Sequence, residues 1–248
     1  MSAFDFTPGH RVLVVGGAGD IGAAISQAFL DVGCEVLATG VDGKAIDGSL
    51  LKPQDRLTLA KLDVTNDALI AAFVAALAER GPLHTLVNCA GILARFKEFE
   101  IETFQKVIDV NLTGTFRLCS ACKPLLAANE GGGSVVNIAS MNAYVALPWI
   151  PAYCASKGGV VMLTKSLALA WAADGIRLNA VAPGYVETQI NAEGRKDLAH
   201  YERIRSRIPQ GRWARPDDIA GSAVFLASNA ARYITGTVLA VDGGFLAG

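Results

Sequence analysis

Residues 12–22 read Val12-Leu13-Val14-Val15-Gly16-Gly17-Ala18-Gly19-Asp20-Ile21-Gly22, and this stretch decides the fold. Its first four residues are apolar without interruption, which is typical of a strand covered on both faces. Gly17, Gly19 and Gly22 then follow a G-x-G-x-x-G spacing and open a segment with helical periodicity. Such a turn binds a pyrophosphate, because its backbone N–H groups approach the phosphates and the helix dipole favours their charge. We therefore predict a dinucleotide site here.

The same alternation of short apolar runs and helical stretches continues along the chain. The predicted strands are 11–15, 35–39, 57–62, 84–88, 133–139, 176–181 and 237–241, and the predicted helices are 21–32, 66–79, 101–128, 152–173 and 216–227. Strands joined by helical crossovers form a parallel sheet. We therefore expect an α/β fold with a single domain over residues 1–248: a Rossmann-type, doubly wound parallel sheet with helices on both faces.

Two connections interrupt this alternation. Residues 42–54 contain glycine and proline breaks, so their helix is expected to be short or absent. Residues 187–215 are polar and loosely helical, and they follow a strand end. Ligands of open α/β sheets bind at the carboxyl ends of the strands, so this second segment is our candidate for a substrate lid.

The composition excludes several classes of protein. Of 248 residues, 52% are hydrophobic and 18% are charged, and the formal net charge is -1. These values exclude disorder and leave no electrostatic footprint for a nucleic-acid partner. The longest apolar stretch, 160–173, contains Lys165 and is too short to cross a bilayer of about 30 Å, so no membrane partner is expected. Residues 1–10 lack the pattern of a signal peptide.

The cysteines and histidines predict neither redox nor metal chemistry. Five cysteines, an odd number, lie in apolar segments, which favours free thiols in a reducing, cytoplasmic compartment. Cys119 and Cys122 form a CxxC pair, but they lie in the middle of a predicted helix and are expected to pack as small hydrophobic groups. The three histidines stand singly, without neighbouring ligands, so no metal site is expected.

The end of the second predicted strand bears on the choice of cofactor. NAD enzymes usually place a carboxylate there for the adenosine ribose, whereas NADP enzymes place a basic residue. This strand ends Thr39-Gly40-Val41-Asp42, and the first basic residue after it is Lys44. Asp42 could accept a hydrogen bond from the ribose or could be a solvated turn residue, and both interpretations stay open. The absence of positive charge favours NAD, with NADP as the less favoured cofactor.

A tyrosine, a lysine and a serine form the candidate reaction centre. Tyr153 and Lys157 stand at i and i+4 at the start of a predicted helix, so they share one face. A tyrosine hydroxyl has an ordinary pKa of about 10, and a nearby ammonium would lower that pKa. Ser140 follows the predicted strand 133–139, where its hydroxyl could bond a substrate oxygen. The pair alone is weak evidence, and it gains weight beside the serine and the glycine-rich turn.

Together these motifs resemble the short-chain dehydrogenase/reductase family, in its branch of 3-oxoacyl carrier-protein reductases and sugar or polyol dehydrogenases. Tyr153 to Lys157 is similar to the YxxxK signature of that family, with Ser140 at the expected distance upstream. The other matching motifs are Asn88-Cys89-Ala90-Gly91, Asp63-Val64, Asn111, Pro183-Gly184 with Thr188, and Asp242-Gly243-Gly244. The resemblance runs from about residue 10 to residue 245.

The resemblance implies an oxidoreductase that transfers a hydride between NAD(H) and a small alcohol or ketone such as a sugar, polyol or hydroxy acid. Tyr153 would exchange a proton with the substrate oxygen, and Ser140 would orient that oxygen. Lys157 would hold the nicotinamide ribose and lower the pKa of Tyr153. Asn111 would interrupt its helix and hold a water that relays protons. The predicted cofactor-binding residues are Gly16, Gly17, Gly19, Asp20, Ile21, Gly22, Asp42, Asp63, Val64, Asn88, Ala90, Gly91, Tyr153, Lys157, Pro183, Gly184, Val186 and Thr188.

Three residues depart from the family pattern, all on the cofactor side. Val15 stands where the family has a threonine whose hydroxyl ties the turn to the NNAG region. Asp20 replaces a family glycine, and Cys89 replaces an asparagine. We expect the Asp20 carboxylate to point away from the pyrophosphate, so that cofactor binding is weakened but retained.

The substrate and the assembly are less constrained. Residues expected to face a small-molecule substrate are Arg95, Met141, Asn142, Tyr144, Leu147, Trp149, Ile150 and Tyr185. Arg95 or Arg195 could receive an acid or phosphate group. The helix 152–173 is apolar nearly all round and the end 245–248 is apolar, so both are expected to meet partner subunits in the homotetramer that the resemblance implies. The alternatives are a 3-oxoacyl thioester reductase using NADPH, a nicotinamide-binding regulatory protein, and a lyase or epimerase on the same cofactor site.

Overall fold

One parallel sheet runs through the computed structural model, which describes residues 4–248. The strands are β1 (Arg11–Val15), β2 (Glu35–Gly40), β3 (Leu57–Lys61), β4 (Thr85–Asn88), β5 (Ser134–Ile138), β6 (Arg177–Pro183) and β7 (Val238–Val241). They form a 7-stranded sheet in the order β3-β2-β1-β4-β5-β6-β7. The predicted α/β class is confirmed, and the strand order reverses between β1 and β4, which is where ligands of such sheets bind.

Helices cover both faces of this sheet. They are α1 (Asp20–Asp31), α2 (Gly43–Asp47), α3 (Asp67–Ala78), α4 (Ile101–Ile108), α5 (Gly114–Ala127), α6 (Pro151–Ala170), α7 (Ala192–Lys196), α8 (Leu198–Arg205) and α9 (Pro216–Ala227). α1 and α9 pack on one face, where Phe29 and Leu226 join the core around Val14. α3, α5 and α6 pack on the other, where Leu118 and Leu167 join the core. The central strands are buried on both sides, which explains their uninterrupted apolar sequence.

The predicted helix 101–128 is interrupted in the structure. α4 ends at Ile108, a π-helical turn spans Asp109–Thr113, and α5 begins at Gly114. Asn111 lies in this turn, fully buried, and its carbonyl oxygen accepts a hydrogen bond from Thr115 Oγ1 at 2.8 Å. The helical pattern alone predicted one helix from 101 to 128, which is wrong, whereas the interruption at Asn111 that the family resemblance implies is present. The turn displaces the backbone so that Asn111 can bond the chain after β4.

Residues 187–215 form a partly helical segment beside the end of β6. A short 3₁₀ turn (Gln189–Asn191) precedes α7 and α8. Tyr201 stacks on Trp213 with ring centroids 5.2 Å apart, and its hydroxyl donates to Glu187 Oε1 at 3.1 Å. These contacts tie the two ends of the segment together, and its role as a lid remains a prediction.

The apolar chain end is partly covered by the protein itself, with Ala247 and Gly248 exposed, and its contact with a partner subunit stays a prediction. Phe245 is buried against Tyr185 and Trp213, because the Asp242 carboxylate accepts hydrogen bonds from the backbone N–H groups of Gly244 and Leu246 and turns the chain back.

Within residues 4–248, no helix is long and apolar enough to cross a membrane. In the same range, no group of three or more histidine, cysteine or acidic side chains could hold a metal ion.

Candidate active site

A cavity of about 1020 Å³ opens at the carboxyl ends of the strands. It extends from the glycine-rich turn after β1 to Tyr153 and Lys157 on α6, and the segment 187–215 contributes to its wall. The predicted cofactor residues that line it are Gly16, Gly19, Asp20, Ile21, Gly22, Asp63, Val64, Ala90, Gly91, Tyr153, Lys157, Pro183, Gly184, Val186 and Thr188. The structure therefore brings together, in one cavity at the topological switch point of the sheet, motifs that lie far apart in the chain.

The glycine-rich turn is a close-packed backbone cradle. Gly16 has φ 76°, and a Cβ there would lie 2.7 Å from the backbone nitrogen of Ala90. A Cβ on Gly22 would overlap the carbonyl oxygen of Gly16. Only glycine fits at these two positions, so the chain after β1 can pass close to the chain after β4 and present its N–H groups at the N-terminus of α1. These features fit a pyrophosphate group.

Three predicted cofactor residues do not line the cavity. Gly17 lies beneath the turn, where a Cβ would come within 2.7 Å of the Val14 carbonyl oxygen. Asp42 caps α2, with Oδ1 accepting from Ala45 N at 2.8 Å, so the structure gives it the contact of a turn residue. Asn88 is buried and donates through Nδ2 to Asn137 Oδ1 at 2.9 Å. Gly17 and Asn88 thus support the turn from behind.

The Asp20 carboxylate is bonded to the segment 187–215. Its Oδ2 accepts a hydrogen bond from Gln189 N at 2.8 Å. The side chain nevertheless lines the cavity, and its charge helps to raise the pKa of the Cys89 thiol, which burial raises to about 11. The Asp20 carboxylate therefore lies at the cofactor end of the cavity, although its oxygen has a partner elsewhere.

Val15, which stands where the family has a threonine, affects the hydrogen bonding of the buried Asn88 side chain beside it. Val15 is paired with Asn88 across β1 and β4, and both side chains are buried. Among the described residues, no donor reaches Asn88 Oδ1. The buried acceptor is left without a partner because its neighbour across the sheet is a valine.

Tyr153 and Ser140 meet at the other end of the cavity. The Ser140 hydroxyl is bonded to the Tyr153 hydroxyl, and Ser140 Oγ accepts from Asn142 N at 3.1 Å at the start of a 3₁₀ turn (Met141–Ala143). Burial raises the pKa of Tyr153 to about 12, and the Ser140 hydrogen bond opposes that rise. A tyrosine with this pKa is protonated at neutral pH, and the rise in its pKa makes it a weaker acid than a free tyrosine.

Lys157 lies one helical turn beyond Tyr153 on the same face of α6. Its Nζ lies 5.7 Å from the centroid of the Tyr153 ring and donates to the carbonyl oxygen of Ile138 at 2.7 Å. Burial lowers the pKa of Lys157 to about 8. Because an ammonium has three donors, others remain for a ligand in the cavity.

Asn111 lies behind the cavity wall and fixes the chain after β4. Its Oδ1 accepts from Ile92 N at 2.8 Å, and its Nδ2 donates to Ile92 O at 3.0 Å and to Ser156 Oγ at 3.1 Å. A Cβ on Gly91 would lie 3.4 Å from Asn111 Oδ1 and 3.6 Å from Lys157 Nζ. Asn111 and Lys157 therefore approach the same small space beside Gly91.

Six of the eight residues predicted to face the substrate line the cavity. Arg95, Met141, Asn142, Leu147, Ile150 and Tyr185 line the cavity. Tyr144 and Trp149 do not: the 3₁₀ turn carries Tyr144 outward, where it is 52% exposed, and Trp149 packs on Phe96 with ring centroids 5.9 Å apart.

The two candidate arginines differ. Arg195 is bonded within its own segment, to Asn191 Oδ1 at 2.9 Å and to the Thr188 carbonyl oxygen at 3.2 Å. Arg95 lines the cavity and, within residues 4–248, takes part in no ion pair. Of these two arginines, only Arg95 lines the cavity and can meet an anionic ligand there.

Two further residues of the site, Thr39 and His200, were not predicted from the sequence. Thr39 at the end of β2 accepts from Gly16 N through Oγ1 at 3.2 Å, and its carbonyl oxygen accepts from Ala18 N at 3.1 Å. His200 in α8 lines the cavity. Neither belongs to a motif, and the strand-end position of Thr39 was the one signal that could have identified it.

Comparisons with known proteins assign the chain to a family. The family model described as "Enoyl-(Acyl carrier protein) reductase" matches residues 16–246. A 2-dehydro-3-deoxy-D-gluconate 5-dehydrogenase of Bacillus subtilis is 40% identical over 243 residues, which covers 96% of this chain and 95% of that relative. A D-threitol dehydrogenase of Mycolicibacterium smegmatis is 40% identical over 250 residues, which covers 98% of this chain and 95% of that relative.

A solved structure is also similar. It is a gluconate 5-dehydrogenase from Burkholderia cenocepacia in complex with NADP and tartrate, which matches with a TM-score of 0.90 at 32% identity and covers 99% of this chain and 99% of that one. The chain belongs to the short-chain dehydrogenase/reductase family, among its sugar and polyol dehydrogenase-like members. It is a nicotinamide-dependent oxidoreductase that acts on CH–OH and C=O groups. These relatives do not favour a thioester reductase or a regulatory protein.

Proposed function

We propose that this protein is a dehydrogenase of a sugar acid, with NAD as its cofactor and Tyr153 as its general acid/base. The carrying observation is that an unpaired arginine, Arg95, lines the same cavity as Tyr153, Ser140 and Lys157. A guanidinium binds a carboxylate through paired, charge-assisted hydrogen bonds, so the cavity offers an anion site beside its reaction centre. The sugar-acid substrates in the names of two of the relatives agree with this choice.

The proton chemistry follows from the arrangement around Tyr153. When bound, the nicotinamide ring supplies or accepts the hydride. With its pKa raised to about 12 by burial, the Tyr153 hydroxyl is protonated at neutral pH and has a proton to give to a substrate carbonyl oxygen. Ser140, bonded to that hydroxyl, orients and polarises the same oxygen. In the oxidative direction Tyr153 must become a phenolate, which the Lys157 ammonium beside its ring favours. The oxidative rate should therefore rise with pH until Lys157, whose pKa burial lowers to about 8, loses its proton.

The remaining roles concern cofactor binding and the supply of protons. The glycine-rich turn would hold the pyrophosphate, and Asp63 and Val64 would contact the adenine. Lys157 would hold the nicotinamide ribose through the ammonium N–H groups that are not bonded to the Ile138 carbonyl oxygen. Asn111, beside Lys157 and Gly91, would hold the water that returns protons from solvent.

The preference for NAD over NADP rests on charge. The residues that line the cavity at the end of β2 are Thr39, Gly40, Val41 and Ala45. None of these four described residues is basic, so a 2′-phosphate would find no cation there. We expect kcat/KM to favour NAD over NADP, although the Burkholderia enzyme was crystallised with NADP.

We further propose a cytosolic homotetramer. All five cysteines are free thiols, which suits a reducing compartment. On α6, Met162 and Leu169 are 63% and 82% exposed, and Phe116 on α5 is 46% exposed. Apolar side chains at such exposure suit subunit contacts. Light scattering of the purified protein measures the oligomeric state directly, and a monomeric mass would overturn this part of the proposal.

The proposed function is tested by following absorbance at 340 nm with NAD, NADP and their reduced forms against sugar acids, neutral polyols and other hydroxy acids. We expect turnover of a sugar acid with NAD. Turnover confined to neutral polyols would contradict the acid assignment, and turnover with NADP alone would contradict the cofactor assignment.

Arg95→Gln sharpens this test. Loss of a hydrogen bond to a charged group costs about 1.5–3 kcal/mol, so KM for the acid should rise about 10-fold to 150-fold while KM for any neutral substrate stays the same. Arg195→Gln is the matched control, because Arg195 is bonded within its own segment. Equal effects of the two variants would remove Arg95 from the substrate site.

A further inference from the structure

Glu98 is a fully buried carboxylate outside the motifs described above. It lies between β4 and α4 and has 0% exposure. Its Oε1 accepts from Ala94 N at 2.9 Å, and its Oε2 accepts from Tyr153 N at 2.8 Å. Among residues 4–248 it forms no ion pair with a lysine or arginine. A buried charge without a cation is costly, so both of its oxygens depend on backbone N–H groups.

One of those N–H groups belongs to the first turn of α6. The first N–H groups of a helix have no partner within the helix, and the residue that precedes α6, Ile150, has no side chain that could accept a bond. Pro151 has no N–H to satisfy. Glu98 therefore supplies from a distant loop the cap that the local sequence lacks, and its charge lies at the positive end of the helix dipole.

The loop that carries Glu98 is itself strained and tied to the same helix end. Phe96 has φ 68°, in the left-handed region, although it is not a glycine. Such a residue costs on the order of 1–3 kcal/mol and persists only where its surroundings fix it. Here Phe96 N donates to the Trp149 carbonyl oxygen at 3.0 Å. The loop thus contacts the chain on both sides of the start of α6, at Trp149 and at Tyr153.

We propose that Glu98 is a positioning residue of the reaction centre, which locks the first turn of α6 to the substrate loop 92–98 and so sets where Tyr153 stands relative to that loop. Arg95, the proposed anion-binding residue, lies in this loop. Through Glu98, hydrogen bonds join the helix turn that carries Tyr153 to the loop that carries Arg95. The proposal rests on the proposed role of Tyr153.

The charge of Glu98 also acts on Tyr153. The groups that face the Tyr153 hydroxyl and ring are Ser140, Lys157, Cys89, Cys154 and Glu98. Burial is the main cause of the raised pKa of Tyr153, and the Glu98 charge raises it further. Removing that charge while keeping the side chain's size should therefore lower the pKa of Tyr153.

The test is the pH profile of kcat/KM for alcohol oxidation by Glu98→Gln. We expect the Tyr153-dependent limb of the profile to move to lower pH, by roughly half a unit to one unit. We also expect kcat at the optimum to fall about tenfold, because one hydrogen bond of the cap weakens and the helix turn loosens. The affinity for NADH, measured by fluorescence titration, should be unchanged.

Glu100→Gln is the matched control, since Glu100 is an exposed carboxylate in the same segment and should leave the profile in place. A Glu98→Gln profile that superimposes on the unmodified enzyme overturns the proposal, as does full activity of Glu98→Ala. If Glu98→Ala does not fold, the glutamine variant carries the test alone. Full activity of Tyr153→Phe would instead reject the proposed function, so the two failures are distinguishable.

Discussion

The two ends of the cavity fix their functional groups in different ways. At the reaction centre, Ser140, Lys157 and Asn111 are buried and each forms a hydrogen bond to another part of the chain. At the glycine-rich turn, the functional groups are backbone N–H groups, and what fixes them is the absence of side chains at Gly16 and Gly22.

This difference explains where the chain departs from its family. Val15 and Asp20 flank the turn, and Cys89 lies in the chain after β4 that packs against it. At this end the backbone carries the function, and a side chain can change without removing it. The four proposed catalytic side chains match the family residues, since a hydroxyl or an ammonium has no backbone substitute. Substitutions at the reaction centre should therefore lower turnover, and substitutions at the glycine-rich turn should lower cofactor affinity.

The largest effect is expected at the reaction centre, for Ser140→Ala. Loss of a donor that stabilises a developing oxyanion lowers kcat about 10²-fold to 10³-fold, while NADH affinity should stay unchanged because Ser140 is assigned to the substrate oxygen. Steady-state kinetics and a fluorescence titration measure the two quantities. Normal kcat with weakened NADH binding would mean that Ser140 serves the cofactor and not the substrate oxygen.

The next largest effect is expected at the turn, for Gly22→Ala. The new Cβ would overlap the Gly16 carbonyl oxygen, and overpacking of this kind costs about 1–3 kcal/mol. NADH affinity should fall about 5-fold to 150-fold, with kcat at saturating cofactor nearly unchanged. Gly19→Ala is the control, because a Cβ there lies 3.5 Å from the same oxygen. Equal losses in both variants would show that the turn is not close-packed.

A smaller effect of opposite sign is expected for Asp20→Asn. The substitution keeps an oxygen that can accept from Gln189 N and removes a negative charge from the cofactor end of the cavity. At solvent-like screening a charge contributes about 1 kcal/mol, so NADH should bind about fivefold tighter at low salt, and the gain should shrink as salt increases. Asp31→Asn, at the far end of α1, should change nothing. Weaker binding by Asp20→Asn would mean that the carboxylate helps the cofactor to bind.

The smallest effect is expected for Val15→Thr. The new hydroxyl would stand beside Asn88 Oδ1, which has no donor among the described residues, and a hydrogen bond adds about 0.5–1.5 kcal/mol. The free energy of unfolding, measured with urea, should rise by an amount within this range. Val14 lies in the core on the other face of the sheet. Val14→Thr should lower the free energy of unfolding, because its hydroxyl would be buried without a partner. A loss at position 15 as large as that at position 14 would contradict this explanation of the orphaned oxygen.

Much of the fold could be predicted because the central strands are covered on both faces, and burial on both faces leaves an uninterrupted apolar sequence such as residues 12–15. The reaction centre could be predicted because its side chains follow fixed spacings on α6 and after β5. Neither depends on distant contacts.

Glu98 could not be predicted for the opposite reason. Glu98, Glu100 and Glu102 share one segment, and only the left-handed backbone of Phe96 decides which of the three carboxylates turns inward. Tyr144 and Trp149 were misplaced in the same way, because a 3₁₀ turn after Ser140 directs Tyr144 and the irregular loop at Phe96 holds Trp149, and the sequence carries no signal for either. The errors therefore fall where irregular backbone, and not periodicity, directs a side chain.

The central claim is that Tyr153 transfers the proton and is not needed to bind the cofactor. Tyr153→Phe tests it most directly when turnover and NADH affinity are measured on the same preparation. The variant keeps the ring beside Lys157 and removes only the hydroxyl, so turnover should fall at least about 10²-fold, as expected for loss of a general acid/base, while the NADH dissociation constant stays within error of the unmodified protein. Turnover near the normal rate would contradict the claim, and so would a loss of activity explained entirely by weaker NADH binding.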